Sequence, residues 1–126
     1  MPILSSLPVL LIACAPIQGP LEGDRGAARS LFDGRSLAGW SGDARYWRAE
    51  NGSLVGESST EHPLEATTYL VWRGGEVADF DLELEFKLVG GNSGVQFRSR
   101  LVGPAEVAGY QADMEDGPDW TGGLYE

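Results

Sequence analysis

From Phe80 to Leu88 apolar and polar residues alternate without a break. Phe80, Leu82, Leu84, Phe86 and Leu88 fall on one face, and Asp81, Glu83, Glu85 and Lys87 on the other. Period two is the signature of a half-buried β-strand. Gly90-Gly91-Asn92-Ser93-Gly94 then reads as a turn, and a second alternating run sets Val95 and Phe97 against Gln96, Arg98 and Arg100. Together the runs predict a β-hairpin with Leu88 opposite Val95, Phe86 opposite Phe97, Lys87 beside Gln96, Glu85 beside Arg98 and Glu83 beside Arg100. Each charge pair would add roughly 0.2–1 kcal/mol. A slip of one residue would turn the phenylalanines to water.

A chain of 126 residues allows one domain. It is short for an all-β sandwich, a class that often runs to about 200–250 residues. Acidic residues outnumber basic ones 19 to 9, for a net charge of −10. No basic cluster is present to neutralise phosphates, which argues against a nucleic-acid partner.

The first 21 residues carry no charged side chain, and Ile3 to Ala13 is mostly apolar. That stretch is too short to span a bilayer as a helix and reads as the apolar region of a signal peptide. Leu11-Ile12-Ala13-Cys14 resembles a bacterial lipobox, in which the cysteine is lipidated and becomes the mature N-terminus. No positive residues precede it, and an uncleaved apolar leader is the alternative. Cys14 is the only cysteine, so an intrachain disulfide is excluded. The expected organisation is a signal peptide over 1–14, a Pro-, Gly- and Ala-rich tether over 15–30, and a domain from Leu31 onward, anchored by lipid in the bacterial periplasm or at the cell surface.

Within the domain, Leu31 to Trp40 places large apolar residues around Asp33-Gly34 and suits an edge segment over a core. Asn51-Gly52 lies between Tyr46-Trp47-Arg48-Ala49 and Ser53-Leu54-Val55-Gly56, a strong hairpin signal. Residues 58–66 read as loop, with His62 exposed, and Thr67 to Trp72 as a strand. Val102 to Val107 reads as loop. Tyr110 to Glu115 reads as a strand with Tyr110, Ala112 and Met114 on one face and Gln111, Asp113 and Glu115 on the other. Many short strands with turns between them mean a sandwich or barrel.

Several segments resemble, in order and spacing, the 3-keto-disaccharide hydrolase domain family. They are Leu31-Phe32-Asp33-Gly34 through Gly39-Trp40, Trp47 with Asn51 to Gly56, Asp79 to Lys87, Asn92-Ser93-Gly94-Val95 with Arg98, and Gly109 to Met114 with Gly123-Leu124-Tyr125-Glu126. The resemblance implies a concanavalin A-like jelly-roll β-sandwich. Family members continue past the Leu-Tyr-Glu segment, so it also implies a domain incomplete at its C-terminus. The implied activity is cleavage of 3-keto-disaccharides or 3-keto-glucosides. A ketone at C3 acidifies the C2 hydrogen, a base removes it, and the C1 substituent leaves by elimination before water adds. No cofactor is implied. A non-catalytic carbohydrate-binding module on the same fold and an inactive gene fragment are the alternatives.

Asp113 is the candidate base, with Gln111 beside it as a hydroxyl partner. Arg98 is the candidate oxyanion or sugar contact, and equally the cross-strand partner of Glu85. Asn92 either donates to a sugar hydroxyl or serves only the turn. Trp120, in a Gly-rich loop, suits stacking on a sugar ring, whereas Trp40, Trp47 and Trp72 suit core or sandwich-edge positions. Glu115, Tyr125 and Glu126 complete the substrate-facing set. Glu115, Asp116 and Asp119 form an acidic run open to Ca²⁺, but the spacing fits no metal loop and reads as solvated. The residues do not indicate the oligomeric state.

Overall fold

A computed structural model of the chain describes residues 9–13, 28–103 and 106–126. Among these residues every helix or strand is a strand: β1 (Val9–Ala13), β2 (Trp40–Ser41), β3 (Trp47–Glu50), β4 (Ser53–Glu57), β5 (Val71–Trp72), β6 (Glu85–Val89), β7 (Asn92–Gly103), β8 (Glu106–Glu115) and β9 (Leu124–Tyr125). The fold is all-β, as the alternating runs imply. Strands β3-β4-β1-β6 make one sheet, β2 and β5 a second, and β7-β8-β9 a third.

The β3–β4 hairpin follows directly from its turn residues. Asn51 and Gly52 both have positive φ, 50° and 78°, as a two-residue loop between right-twisted strands requires. The register sets Glu50 against Ser53 and Trp47 against Gly56. Upstream, the Asp33 carboxylate accepts hydrogen bonds from the Arg35 and Ser36 amides, both at 2.7 Å, and from the Ser36 hydroxyl. These donors hold the Asp33 carboxyl below its ordinary value. The turn delivers Phe32 to the interior, while the Trp40 indole donates to the Leu31 carbonyl and Trp40 pairs with Trp72 across β2 and β5.

Tyr46, Trp47 and Met114 are buried together, and Leu37, Leu70, Leu84, Leu88 and Val95 pack against them. Because Trp47 belongs to the four-stranded sheet and Met114 to the three-stranded one, this cluster is the layer between two sheets. The polar tips of the aromatics are also satisfied. The Tyr46 hydroxyl donates to the Pro63 carbonyl and the Trp47 indole to the Thr68 hydroxyl, which pins the irregular segment between β4 and β5 onto the sheet.

The expected hairpin across residues 80–100 does not form. Its first strand is shorter, Glu85–Val89, and pairs with β1, whereas β7 pairs with β8. Gly90 and Gly91, both with positive φ, carry the chain from one sheet to the other instead of folding it back on itself. Glu85 therefore does not lie beside Arg98, nor Glu83 beside Arg100, and Phe80, Leu82 and Phe86 remain about two-fifths exposed. The loop expected at Val102 to Val107 is mostly strand, because β7 runs to Gly103 and β8 begins at Glu106. The strand expected over Thr67 to Trp72 is confined to Val71–Trp72. Cys14 and most of the expected signal peptide and tether lie outside the described residues.

The crossing between sheets is clamped by a residue from the acidic run. The Gly90 amide donates to the Asp116 carboxylate at 2.9 Å, and the Asp116 amide donates to the Gly91 carbonyl at 3.1 Å. Removing the side-chain half of this clamp in Asp116→Ala should cost about 1 kcal/mol. A lower urea midpoint would show it, while Asp119→Ala should stay within about 0.5 kcal/mol of the parent.

Candidate active site

Residues directly opposite each other in an antiparallel pair share a face. The β7–β8 register sets Asn92 opposite Glu115, Gly94 opposite Asp113 and Gln96 opposite Gln111, and Tyr125 of β9 pairs with Gln111. These residues form one face of the sheet. The other face carries Ser93, Val95 and Phe97 against Met114, Ala112 and Tyr110, and supplies the core. The alternation over 110–115 therefore separates core from polar face as the sequence implies.

On the polar face three side chains are joined in line. The Gln96 amide nitrogen donates to Gln111 Oε1 at 2.8 Å, and the Gln111 amide nitrogen donates to Asp113 Oδ1 at 2.6 Å. Asp113 Oδ2 has no hydrogen bond among the described residues. Among the described residues the carboxylate is thus held by one oxygen only. The Asp113 backbone is fixed as well: its amide donates to the Gly123 carbonyl at 2.9 Å, and its carbonyl accepts from the Gly122 amide at 2.8 Å. The Thr121-Gly122-Gly123 turn thereby sets the position of the carboxylate.

Gly94 makes room for this arrangement. A Cβ on Gly94 would fall 2.5 Å from Gln111 Cγ and Cδ, so only glycine lets Gln111 lie across β7. Gln96 was placed on the polar face by alternation but was not singled out as a site residue. Its partner lies fifteen positions away on the neighbouring strand, and nothing local to Gln96 reports it.

Arg98 does not meet Asp113. Its guanidinium pairs with Asp79 at 3.1 Å, both side chains being well exposed. It also lies four residues along β7 from Gly94, which faces Asp113. Asn92 opens β7 and is part of the strand, not of the turn. Glu115 is tied through its backbone to the Thr121 hydroxyl, and its Oε2 is buried with no hydrogen-bond partner. Trp120 and Tyr125 are each 65% exposed, and Glu126 is exposed beyond β9. No group of three or more His, Cys, Asp or Glu among the described residues is arranged to hold a metal ion.

Asp113, Gln96, Gln111, Arg98, Tyr125 and Glu126 all border an open basin of about 2400 Å³. Pockets shaped to a small ligand run to about 300–1,000 Å³. The basin as a whole is thus too large to define a ligand, and specificity falls to the polar groups on its wall. An anchored carboxylate among amides and exposed aromatic rings is a surface suited to a polyhydroxylated ligand.

The family model described as the 3-keto-alpha-glucoside-1,2-lyase-like domain matches residues 27–126, and the chain belongs to that family, whose fold is a concanavalin A-like sandwich. Neither a curated protein nor a solved structure matches the chain.

The glycine requirement gives a direct test. Gly94→Ala should force Gln111 off Asp113 and cost about 1–3 kcal/mol by overpacking. Gly117→Ala, where the nearest atom is 3.5 Å away, should cost less. Urea unfolding of the two variants compares them.

Proposed function

We propose that this chain cleaves 3-keto-glucosides or 3-keto-disaccharides by elimination, with Asp113 as the base. The observation that carries the reading is the asymmetric anchoring of Asp113, with Oδ1 on the Gln111 amide and Oδ2 without a hydrogen bond among the described residues, beside an open basin. The ketone at C3 makes the C2 hydrogen acidic. Oδ2 takes that proton, and the electron pair of the C2–H bond forms an enediolate across C2 and C3. Collapse of the enediolate breaks the C1–O bond, the leaving oxygen takes up a proton, and water then adds across C1 and C2. The step needs a positioned base, a donor near the enediolate and an acid for the leaving oxygen, but not the two carboxylates at fixed separation of ordinary glycosidases.

Arg98, four residues along β7 from Gly94 and paired with Asp79, suits the second residue of a disaccharide better than the enediolate. Gln111, Asn92, Tyr125 and Glu126 border the basin, and in this reading they contact the sugar together with Trp120 and Glu115. The ion pair between Arg98 and Asp79 favours a second reading, a carbohydrate-binding module, because it leaves the developing oxyanion without that cation.

Kinetics separate the two. The chain should cleave a 3-keto-glucoside and leave the unoxidised glucoside intact, and Asp113→Asn should lower kcat by roughly 10²–10⁴-fold with KM little changed. Binding of both sugars without cleavage of either would establish the module instead.

We also propose a membrane-anchored lipoprotein of the bacterial envelope, on the strength of the apolar leader that ends at the sole cysteine. Such processing would remove β1 from between β4 and β6, so precursor and mature chain would differ in that sheet. In a bacterium the native chain should take up labelled fatty acid, and Cys14→Ser should lose the label. Equal labelling of the variant would rule the anchor out.

A further inference from the structure

The line of side chains that ends at Asp113 begins at a backbone irregularity. Between Phe97 and Arg100 the β7–β8 register shifts, and Arg98 has a φ of 47°, unusual for a residue other than glycine. Opposite the shift, Gly109 has a φ of 149°, and a Cβ there would fall 2.2 Å from the Ser99 hydroxyl. An extra residue in one strand re-aims the side chains that follow it. In a regular strand Ser99 and Gln96, three apart, would point to opposite faces. Here the Ser99 hydroxyl lies 2.7 Å from the Phe97 carbonyl, 3.0 Å from Gln96 Oε1 and 3.4 Å from the Tyr110 carbonyl, three acceptors for its one proton.

Each link fixes the orientation of the next. With its Oε1 toward the Ser99 hydroxyl, Gln96 presents its amide nitrogen to Gln111 Oε1. With its Oε1 engaged, Gln111 must in turn present its nitrogen to Asp113. If Gln111 turned its amide over, two oxygens would face each other at the carboxylate and two nitrogens at Gln96. An amide has one donor end and one acceptor end, so the line has a direction.

We infer that Gln96, set beside Ser99 at the bulge, is a positioning residue that locks the Gln111 amide with its donor on Asp113. The inference rests on the reading of Asp113 as the base. Its structural part is tested without turnover.

In the full-length chain labelled with ¹⁵N, the Gln111 side-chain amide protons should exchange slowly with solvent, because the nitrogen is held on Asp113 Oδ1. In Gln96→Leu, which removes the donor to Gln111 Oε1, that protection should be lost. Gln96→Glu, of equal length but without a donor, should lose it too and guards against a packing effect of leucine. Unchanged protection in both variants would overturn the inference. So would a Gln111 amide in the parent chain that exchanges as fast as an exposed one.

The kinetic part follows on a 3-keto-glucoside. Gln96→Leu should lower kcat by roughly ten- to a hundredfold, as a misplaced catalytic group does, with KM nearly constant. A lower melting temperature with kcat unchanged would mean that Gln96 is merely structural and would overturn the positioning role. Amide protection that behaves as expected in a chain without turnover would uphold the lock and refute the enzymatic reading alone.

Discussion

The pairing of β7 with β8 is the interaction on which the rest of the structure depends. It is the longest ladder among the described residues, and its register decides two things together. Val95 and Met114 face the other sheet and close the core with Trp47, while Gln96, Gln111 and Asp113 are forced to the opposite side. A slip of β8 by one residue would turn Asp113 and Gln111 inward and Met114 outward. Core and candidate site thus depend on one set of backbone hydrogen bonds.

That shared origin explains why the site is placed by backbone as much as by side chains. Asp113 is bracketed by Gly94 on one side and by the Gly122 and Gly123 backbone on the other. Each glycine allows an approach that a larger residue would block or strain, so the carboxylate is fixed before any ligand arrives. A base held in place costs less reorganisation during proton transfer than one that must be ordered.

Some of this was legible in the residues and some was not. Asn51-Gly52 announced its hairpin because a two-residue loop needs positive φ at both positions, and few residue pairs accept that. Alternation over 110–115 separated Met114 from Asp113 because a strand has no other way to arrange them. The hairpin over 80–100 failed for a different reason. Period two identifies a strand and its faces but not its partner, and charge pairs worth a fraction of a kcal/mol do not outweigh the pairing of whole strands. The Gly90–Gly91 crossing and its Asp116 clamp are long-range facts, as Asp116 lies 26 residues from Gly90. The bulge at Arg98 was hidden because neither Arg98 nor Ser99 is a residue type that marks one.

The central claim is that Asp113 removes a proton from C2 of a 3-keto sugar. Exchange of that hydrogen with solvent tests it most directly, since it reads proton abstraction before any bond to the leaving group breaks. In D₂O, recovered 3-keto-glucoside should carry deuterium at C2 only when the chain is present, and Asp113→Asn should abolish the incorporation. Deuterium incorporation that persists in Asp113→Asn, or cleavage of the sugar with no trace of exchange and no slowing by deuterium at C2, would contradict the account.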